Sequence, residues 1–280
     1  MIAAASKESL ANKLVILRRA IADMQSAVVA YSGGIDSTLV LKVAYEELAE
    51  RALGITALSP TFPAVERDVA SEVARAIGVR HELVQTDQLA YPEFVKNDAT
   101  RCFHCKTDLY RLMESIRKAH AFQCVADGTN LDDLDDDRPG IQAARDWKVR
   151  SPLVDAGFTK SDVREAARQL GLSNWDKPAA ACLSSRIPRN TLISNEKLRR
   201  IEQAEAFLQA EGFRQLRVRD HGDIARIELA PDEFARMEVP ELRDRISLHL
   251  RKLGFRFVCV DLEGYRPGGR SRSRPARDSA

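Results

Sequence analysis

Ser32-Gly33-Gly34-Ile35-Asp36-Ser37-Thr38 follows directly on the apolar run Ala27-Val28-Val29-Ala30-Tyr31. Two adjacent glycines between a strand and a helix allow close approaches that a Cβ forbids. The N–H groups of such a loop, and of a helix beginning at about Ser37, point at one spot where negative charge is favoured. Ser32, Ser37 and Thr38 add hydroxyl donors, so the chemistry these residues suit is the cradling of a pyrophosphate. The spacing is neither Gly-x-x-x-x-Gly-Lys-Ser/Thr nor Gly-x-Gly-x-x-Gly, which excludes a Walker loop and gives dinucleotide binding no support. No lysine reaches the phosphates from within the loop. The alternative is a glycine turn with no ligand.

The second group of reactive side chains is cysteine. In a chain expected to be cytoplasmic, five cysteines suggest metal or thiol chemistry, or simple burial, rather than a disulfide framework. Cys102 and Cys105 form a Cys-x-x-Cys at the start of a helix, where the dipole and flanking cations favour thiolate. The pair is compatible with half a zinc site, but a second Cys-x-x-Cys is absent. Cys182 lies among small residues, with Lys177 and Arg186 as nearby cations and Ser184 and Ser185 as hydroxyl donors. It is either a structural cysteine or an accessible nucleophile. Cys124 and Cys259 each sit in an apolar run and are expected to be inert core residues.

These groups must be positioned by regular elements. Hydrophobic periodicity predicts an amphipathic helix over 8–24, strands at 26–31, 54–58, 80–85 and 122–126, and helices over 37–51, 63–77, 105–118 and 160–170. Strands alternating with helices imply a parallel sheet, with ligands at the carboxyl ends of its strands. The glycine loop occupies one such end, and Asp127-Gly128-Thr129-Asn130 another. Residues 131–140 are acidic and expected to be a loop, whose aspartates either hold Mg²⁺ near the phosphates or are merely solvated. After Pro188 the character changes to a helix over 194–210, strands at 215–219, 224–229 and 255–260, and helices near 232–237 and 240–252. The expected division is therefore a nucleotide domain over 1–188, a small α+β domain over 189–265 and a disordered tail over 266–280.

Composition is that of an ordinary soluble chain: 44% hydrophobic, 30% charged, net charge +2 in 280 residues. The tail carries five arginines and one aspartate, so the remaining body is near −2. A body of that sign is not a general nucleic-acid binder, although the tail itself either touches RNA or is simply solvated. No apolar run approaches the roughly 20 residues that span a bilayer, and the chain is expected to be cytoplasmic.

The loop resembles the Ser-Gly-Gly-x-Asp-Ser signature of the PP-loop ATP pyrophosphatases, which split ATP between the α- and β-phosphates and adenylate a carbonyl or carboxylate oxygen. More closely, the order of Ser32–Ser37, Arg101-Cys102-x-x-Cys105-Lys106, Asp127-Gly128-Thr129-Asn130, Arg138-Pro139-Gly140, Ser151-Pro152-Leu153, Trp175-x-Lys177-Pro178, Cys182-Leu183-x-Ser185-Arg186 and Arg217-Val218-Arg219-x-His221 resembles the LarE-type ATP-dependent sulfur transferases up to about Pro267. The resemblance implies an α/β fold, with a parallel-sheet PP-loop (adenine nucleotide alpha hydrolase-like) domain and a smaller C-terminal α+β domain. It also implies ATP and Mg²⁺ bound by Ser32, Gly33, Gly34, Asp36, Ser37, Thr38, Gly128 and Thr129, and adenylation of the carboxylates of pyridinium-3,5-biscarboxylic acid mononucleotide. A homo-oligomer, a hexamer, is implied as well. Arg217 and Arg219 alternate onto one face of a strand and suit a phosphate clamp, or else form a solvated face. In such a family, sulfur comes either from Cys182 itself, sacrificed to dehydroalanine, or from sulfide on a [4Fe-4S] cluster held by Cys102, Cys105 and Cys182. The competing functions are tRNA thiolation by a related PP-loop enzyme, an amidating ligase, and a non-catalytic nucleotide-binding module.

Overall fold

The structure, a computed structural model, describes residues 9–134, 139–177 and 181–265. Arg138, Pro178, the acidic residues 135–137 and the basic tail lie outside the described residues. The chain divides into two compact units, 1–180 and 181–280. Cys182 therefore belongs with the second unit, ahead of the boundary expected at 188/189.

In the first unit the order is α1 (Leu10–Ala22), β1 (Ala27–Ala30), α2 (Ile35–Leu48), β2 (Ala52–Leu58), α3 (Ala64–Ile77), β3 (Arg80–Gln85), α4 (Pro92–Val95), α5 (Arg101–Ala119), β4 (Cys124–Ala126), α6 (Leu131–Leu134), α7 (Pro139–Asp146), α8 (Pro152–Asp155) and α9 (Lys160–Gln169). The four strands pair in parallel in the order β3-β2-β1-β4. Side chains alternate across β1 as the strand period requires. Ala27 and Val29 join the core with Leu39, Val43, Phe158 and Val163, whereas Val28 joins Leu53, Ile55, Met113 and Val125 on the other face. Helices thus cover both faces, and the apolar run at 27–31 is a strand buried on two sides.

β1 feeds β2 on one side and pairs with β4 on the other, so chain direction across the sheet reverses between β1 and β4. A ligand site in an open parallel sheet forms at that switch, beyond the carboxyl ends. The two loops there touch: a Cβ on Gly128 would lie 2.6 Å from the Ser37 nitrogen and 2.9 Å from Ser37 Cα. Gly128 is a glycine because the loop after β4 packs directly on the backbone of the α2 N-terminus.

Helix bounds depart from expectation where capping decides them. α2 begins at Ile35 rather than near Ser37, with Gly34 extended as its N-cap. α5 begins at Arg101, so Cys102 and Cys105 lie inside its first two turns. Part of the expected acidic loop is the short helix α6, because side chains take up its freed N–H groups: Asn130 N–H donates to Asp133 Oδ2 (3.2 Å), and Asp132 N–H to Asn130 Oδ1 (3.0 Å).

The second unit holds a 3₁₀ turn (Leu183–Arg186), α10 (Asn195–Ala210), antiparallel β5 (Leu216–His221) and β6 (Ile224–Leu229), a 3₁₀ segment (Pro231–Glu238), α11 (Pro240–Lys252) and β7 (Phe257–Val260), which pairs in parallel with β6. Leu208, Phe213, Val218, Ile227, Ile246, Leu250 and Phe255 form its core. Cys259 corrects one expectation: it is exposed on β7, at the edge of a three-stranded sheet. Cys124 is half-buried, its thiol donating to Ser26 O (3.6 Å).

Replacing Gly128 by Ala should lower the melting temperature of the chain, at a cost on the order of 1–3 kcal/mol, because the added methyl meets backbone that cannot rotate away. Thermal unfolding followed by circular dichroism checks this, and an unchanged midpoint would show that the β4 loop can withdraw from α2.

Candidate functional site

The glycine loop is built by turning carbonyls inward. Gly33 adopts φ +71°, and a Cβ there would sit 2.9 Å from Ala70 Cβ on α3. Gly34 O accepts from Thr38 N–H (2.9 Å), Thr38 Oγ1 (2.9 Å) and Ser37 Oγ (3.0 Å). Since the Ser37 proton goes to Gly34 O, Ser37 Oγ receives from Ser32 N–H and Ser32 Oγ, both at 3.2 Å. The N–H groups of Ile35, Asp36 and Ser37 precede the first intrahelical bond of α2 and carry its positive pole. Ser32 is exposed, and Gly34 and Asp36 are half-buried. Thr38 is fully buried, so its hydroxyl braces the loop from beneath rather than facing solvent.

Beneath the loop, Thr56 Oγ1 donates to Tyr31 O (2.8 Å), and His81 Nε2 stands 2.8 Å from the same hydroxyl. A hydroxyl has one proton, and the Tyr31 carbonyl can only accept, so His81 Nε2 carries a proton and donates. Burial holds the His81 pKa below its ordinary value. The Tyr31 hydroxyl donates to Ala70 O (3.0 Å) and is pushed up to about 12 by burial.

Beside the loop, Asp127 is buried and accepts from Tyr110 OH (2.7 Å), Ser151 Oγ (2.8 Å), Thr129 Oγ1 (2.8 Å) and Thr129 N–H (3.1 Å). Burial and the neighbouring carboxylate raise the Tyr110 pKa, which keeps the phenol a donor. This network sets the turn that presses Gly128 onto α2. Asp36 receives Asn130 Nδ2 (3.1 Å) on one oxygen and Lys160 Nζ on the other. The lysine missing from the loop is thus supplied by the first residue of α9. Sequence reasoning passed over Lys160, yet a signal existed: a cation at the first helical position opposes the helix dipole and is unfavourable there without a partner. Asp132 accepts from Lys160 N–H (2.8 Å), so Asp132 and Asp133 act as helix caps. Asn174 was also missed; its side chain donates to Gly33 O (3.1 Å) and Thr38 Oγ1 (2.9 Å), and nothing in the sequence around it marks that role.

Cys102 and Cys105 are half-buried; Gln88 Nε2 lies 3.2 Å from Cys105 Sγ and Arg101 Nη2 3.9 Å from Cys102 Sγ. In the second unit, Cys182 is exposed, its Sγ 3.0 Å from Ser184 Oγ. The backbone around it is clamped by cations. Arg186 donates to Ala181 O and to Cys182 O (3.1 Å) while forking onto Glu205, and Arg219 Nη1 donates to Ser185 O (2.9 Å). Both arginines of the expected phosphate clamp have neighbours within the second unit. Arg219 forks onto Glu228 (2.5 and 3.2 Å), and Arg217 is buried with its guanidinium over the Tyr265 ring, 4.7 Å from the centroid. The register explains this, because β6 places Glu228 directly opposite Arg217 and diagonally from Arg219, two residues beyond its partner Arg226. Among the described residues, no group of three or more His, Cys, Asp or Glu is placed to hold one metal ion, and no helix is long and apolar enough to cross a membrane.

A glycine-turned anion cradle at the switch point of a parallel sheet, with a lysine–aspartate pair at its side, defines an ATP-binding PP-loop enzyme. The sequence profile of the asparagine synthase family, described as Asparagine synthase, matches residues 16–129. The chain is 37% identical over 261 residues to pyridinium-3,5-bisthiocarboxylic acid mononucleotide synthase of Lactiplantibacillus plantarum, covering 93% of this chain and 94% of that one. An uncharacterized protein of Synechocystis is 43% identical over 259 residues (92% and 97%), and one of Methanocaldococcus jannaschii 32% identical over 239 (85% and 90%). The chain belongs to the LarE-type ATP-dependent sulfur transferases of the PP-loop pyrophosphatase superfamily, and it is an enzyme of that class.

The half-buried His81 makes the loop's support pH-sensitive. A histidine whose folded pKa is lowered contributes its full stability above the ordinary value of about 6.5 and loses it as pH falls toward the lowered folded value. Melting temperatures measured from about pH 8 to about pH 5 should fall more steeply in the natural chain than in His81→Gln, which cannot take up the proton; parallel curves would remove His81 from the account.

Proposed function

We propose that the enzyme adenylates the carboxylates of pyridinium-3,5-biscarboxylic acid mononucleotide and converts them to thiocarboxylates for a nickel-pincer nucleotide cofactor, with Cys182 as sulfur donor. Support comes chiefly from the inward-turned carbonyls of Gly33 and Gly34, which leave an amide cradle at the α2 N-terminus. End-to-end likeness to the bisthiocarboxylic acid synthase points to the substrate.

In this reading Ser32, Gly33, Gly34 and Ser37 receive the β- and γ-phosphates through N–H and hydroxyl donors. Thr38, Gly128 and Thr129 shape the cradle from behind. Lys160 sits where it can turn from Asp36 to phosphate oxygen, which frees a hard carboxylate of the kind Mg²⁺ prefers. Asp36 would hold that ion, whose charge would offset that of the phosphates. Substrate carboxylate oxygen attacks the α-phosphorus, the α–β bridging bond breaks, and pyrophosphate leaves. The Cys182 thiolate then attacks the acyl carbon, a C–S bond forms, and AMP departs with the C–O electron pair. Removal of the Cys182 α-proton and cleavage of its Cβ–S bond place that electron pair on sulfur. The substrate keeps a thiocarboxylate and the chain keeps dehydroalanine. The exposure of Cys182 and the cation clamp on its backbone suit this role.

Arg217 and Arg219 remain the proposed contacts for the substrate's own phosphate, Arg219 by yielding part of its Glu228 fork. Cys102 and Cys105 would supply two of the three thiolates a [4Fe-4S] cluster needs, with Cys182 as the third, in the second reading of the sulfur source. Homo-oligomerisation, as a hexamer, and a cytoplasmic location are proposed from the family resemblance.

Anaerobic incubation with ATP, Mg²⁺ and the biscarboxylic mononucleotide should release pyrophosphate, form thiocarboxylate, and remove one H₂S from the intact mass of the polypeptide. Cys182→Ala should still release pyrophosphate but form no thiocarboxylate. A brown, iron-containing protein of unchanged mass after turnover would instead assign the sulfur to a cluster, and formation of an amide from ammonia by Cys182→Ala would point to an amidating ligase. In single-turnover reactions Arg217→Ala should raise the mononucleotide concentration for half-maximal rate about tenfold or more, as loss of a charge-assisted contact does, with that for ATP little changed; equal effects on both would remove Arg217 from the substrate site.

A further inference from the structure

Asn174 lies in the turn that follows α9, far along the chain from the glycine loop, and is 5% exposed. Its Nδ2 donates to Gly33 O (3.1 Å) and Thr38 Oγ1 (2.9 Å). A backbone carbonyl only accepts, so the amide orientation is determined, with nitrogen toward the loop. The other end of the amide is unusual: Asn174 Oδ1 is buried and has no hydrogen-bond partner among the described residues. A side chain present only to fill space would not carry an unpaired buried oxygen. The two donors are what this position requires.

From these contacts we infer that Asn174 is the positioning residue that sets the Gly33–Gly34 peptide plane, and hence the direction of the Gly34 N–H toward phosphate. In a trans peptide the C=O of one residue and the N–H of the next point oppositely. With Gly33 O anchored inward, Gly34 N–H is turned to the exposed side, where Ser32 Oγ shares it at 3.3 Å. A peptide between two glycines has little intrinsic preference between this plane and its reverse, since glycine adopts either sign of φ. The reverse plane would aim Gly33 O at the anion. Asn174 also supplies a proton to Thr38 Oγ1, which leaves the Thr38 proton for Gly34 O and pins the next peptide in the same sense. The inference rests on the loop being the phosphate site of the proposed function and adds the residue that orients it.

The test uses the full chain, with ATP, inorganic pyrophosphate and adenosine as separate probes in isothermal titration calorimetry. Asn174→Leu keeps the buried volume and removes both donors; Asn174→Asp keeps the shape and turns a donor into a charged acceptor. Both should weaken ATP and pyrophosphate about tenfold or more, the Asp variant further, while adenosine binding stays within about twofold. Pyrophosphate affinity within about twofold of the natural chain in a folded variant would overturn the inference, as would equal weakening of adenosine. Should both variants fail to fold, the natural chain labelled with ¹⁵N-glycine still decides: pyrophosphate should shift the Gly34 amide resonance, and an unmoved resonance refutes the inference. The two readings fail separately. A natural chain that binds pyrophosphate yet makes no thiocarboxylate defeats the proposed reaction and leaves the role of Asn174 standing.

Discussion

Four hydrogen bonds keep the carbonyl oxygens of Gly33 and Gly34 on the inner side of the loop: one from Asn174, two from Thr38 and one from Ser37. An anion site made of backbone has no fixed sign, because every peptide carries a donor and an acceptor on opposite edges. Turning both carbonyls inward gives this one a sign. The rest of the carboxyl edge of the sheet serves that arrangement. α3 brings Ala70 under Gly33, the Thr56–His81 pair holds the Tyr31 carbonyl ahead of the loop, and the Asp127 network drives Gly128 against the first turn of α2.

Charge is arranged on the same plan. The cradle's own positive potential comes from N–H dipoles that need no reorganisation when an anion arrives, which is how preorganised donors stabilise developing charge. The side-chain cation beside the cradle is Lys160, held by Asp36. An ion pair at a phosphate site stores a cation without leaving it unpartnered, and exchange of partners on ligand binding requires only side-chain rotation. Adenylation is the step that profits, since pyrophosphate leaves with more charge than a bridging oxygen carried.

In the second unit, paired charges do positional work. Arg186–Glu205 and Arg219–Glu228 are close and largely buried, a setting in which desolvation offsets most of the Coulombic gain. Their consequence is geometric. Glu205 also accepts from Val218 N–H on β5 (2.9 Å), so α10, β5 and the backbone on either side of Cys182 are joined through two guanidinium groups. The thiol itself stays exposed while the chain that carries it is fixed.

Much of this was legible from residue order alone. The glycine loop, the β/α alternation, the parallel sheet and the strand at 80–85 follow from local pattern, because a strand buried on two faces and a glycine-capped turn each leave a short-range mark. Helix starts were less legible: Gly34 as an N-cap, the early start of α5 and the α6 turn depend on which side chain accepts a freed N–H. The inert-core reading of Cys259 failed because apolar neighbours along a strand do not say whether that strand lies at a sheet edge. The carboxylate partner of the arginine pair on β5 could not be read without the register that sets Glu228 opposite Arg217. By itself the amino-acid order determined where the glycine loop lies between strand and helix and the order of its hydroxyl residues, since both depend on neighbours within a few residues. Tertiary structure alone decided that Lys160 supplies the missing cation and that Asn174 orients the glycines, because contacts spanning 124 and 141 residues of chain leave no periodicity to read.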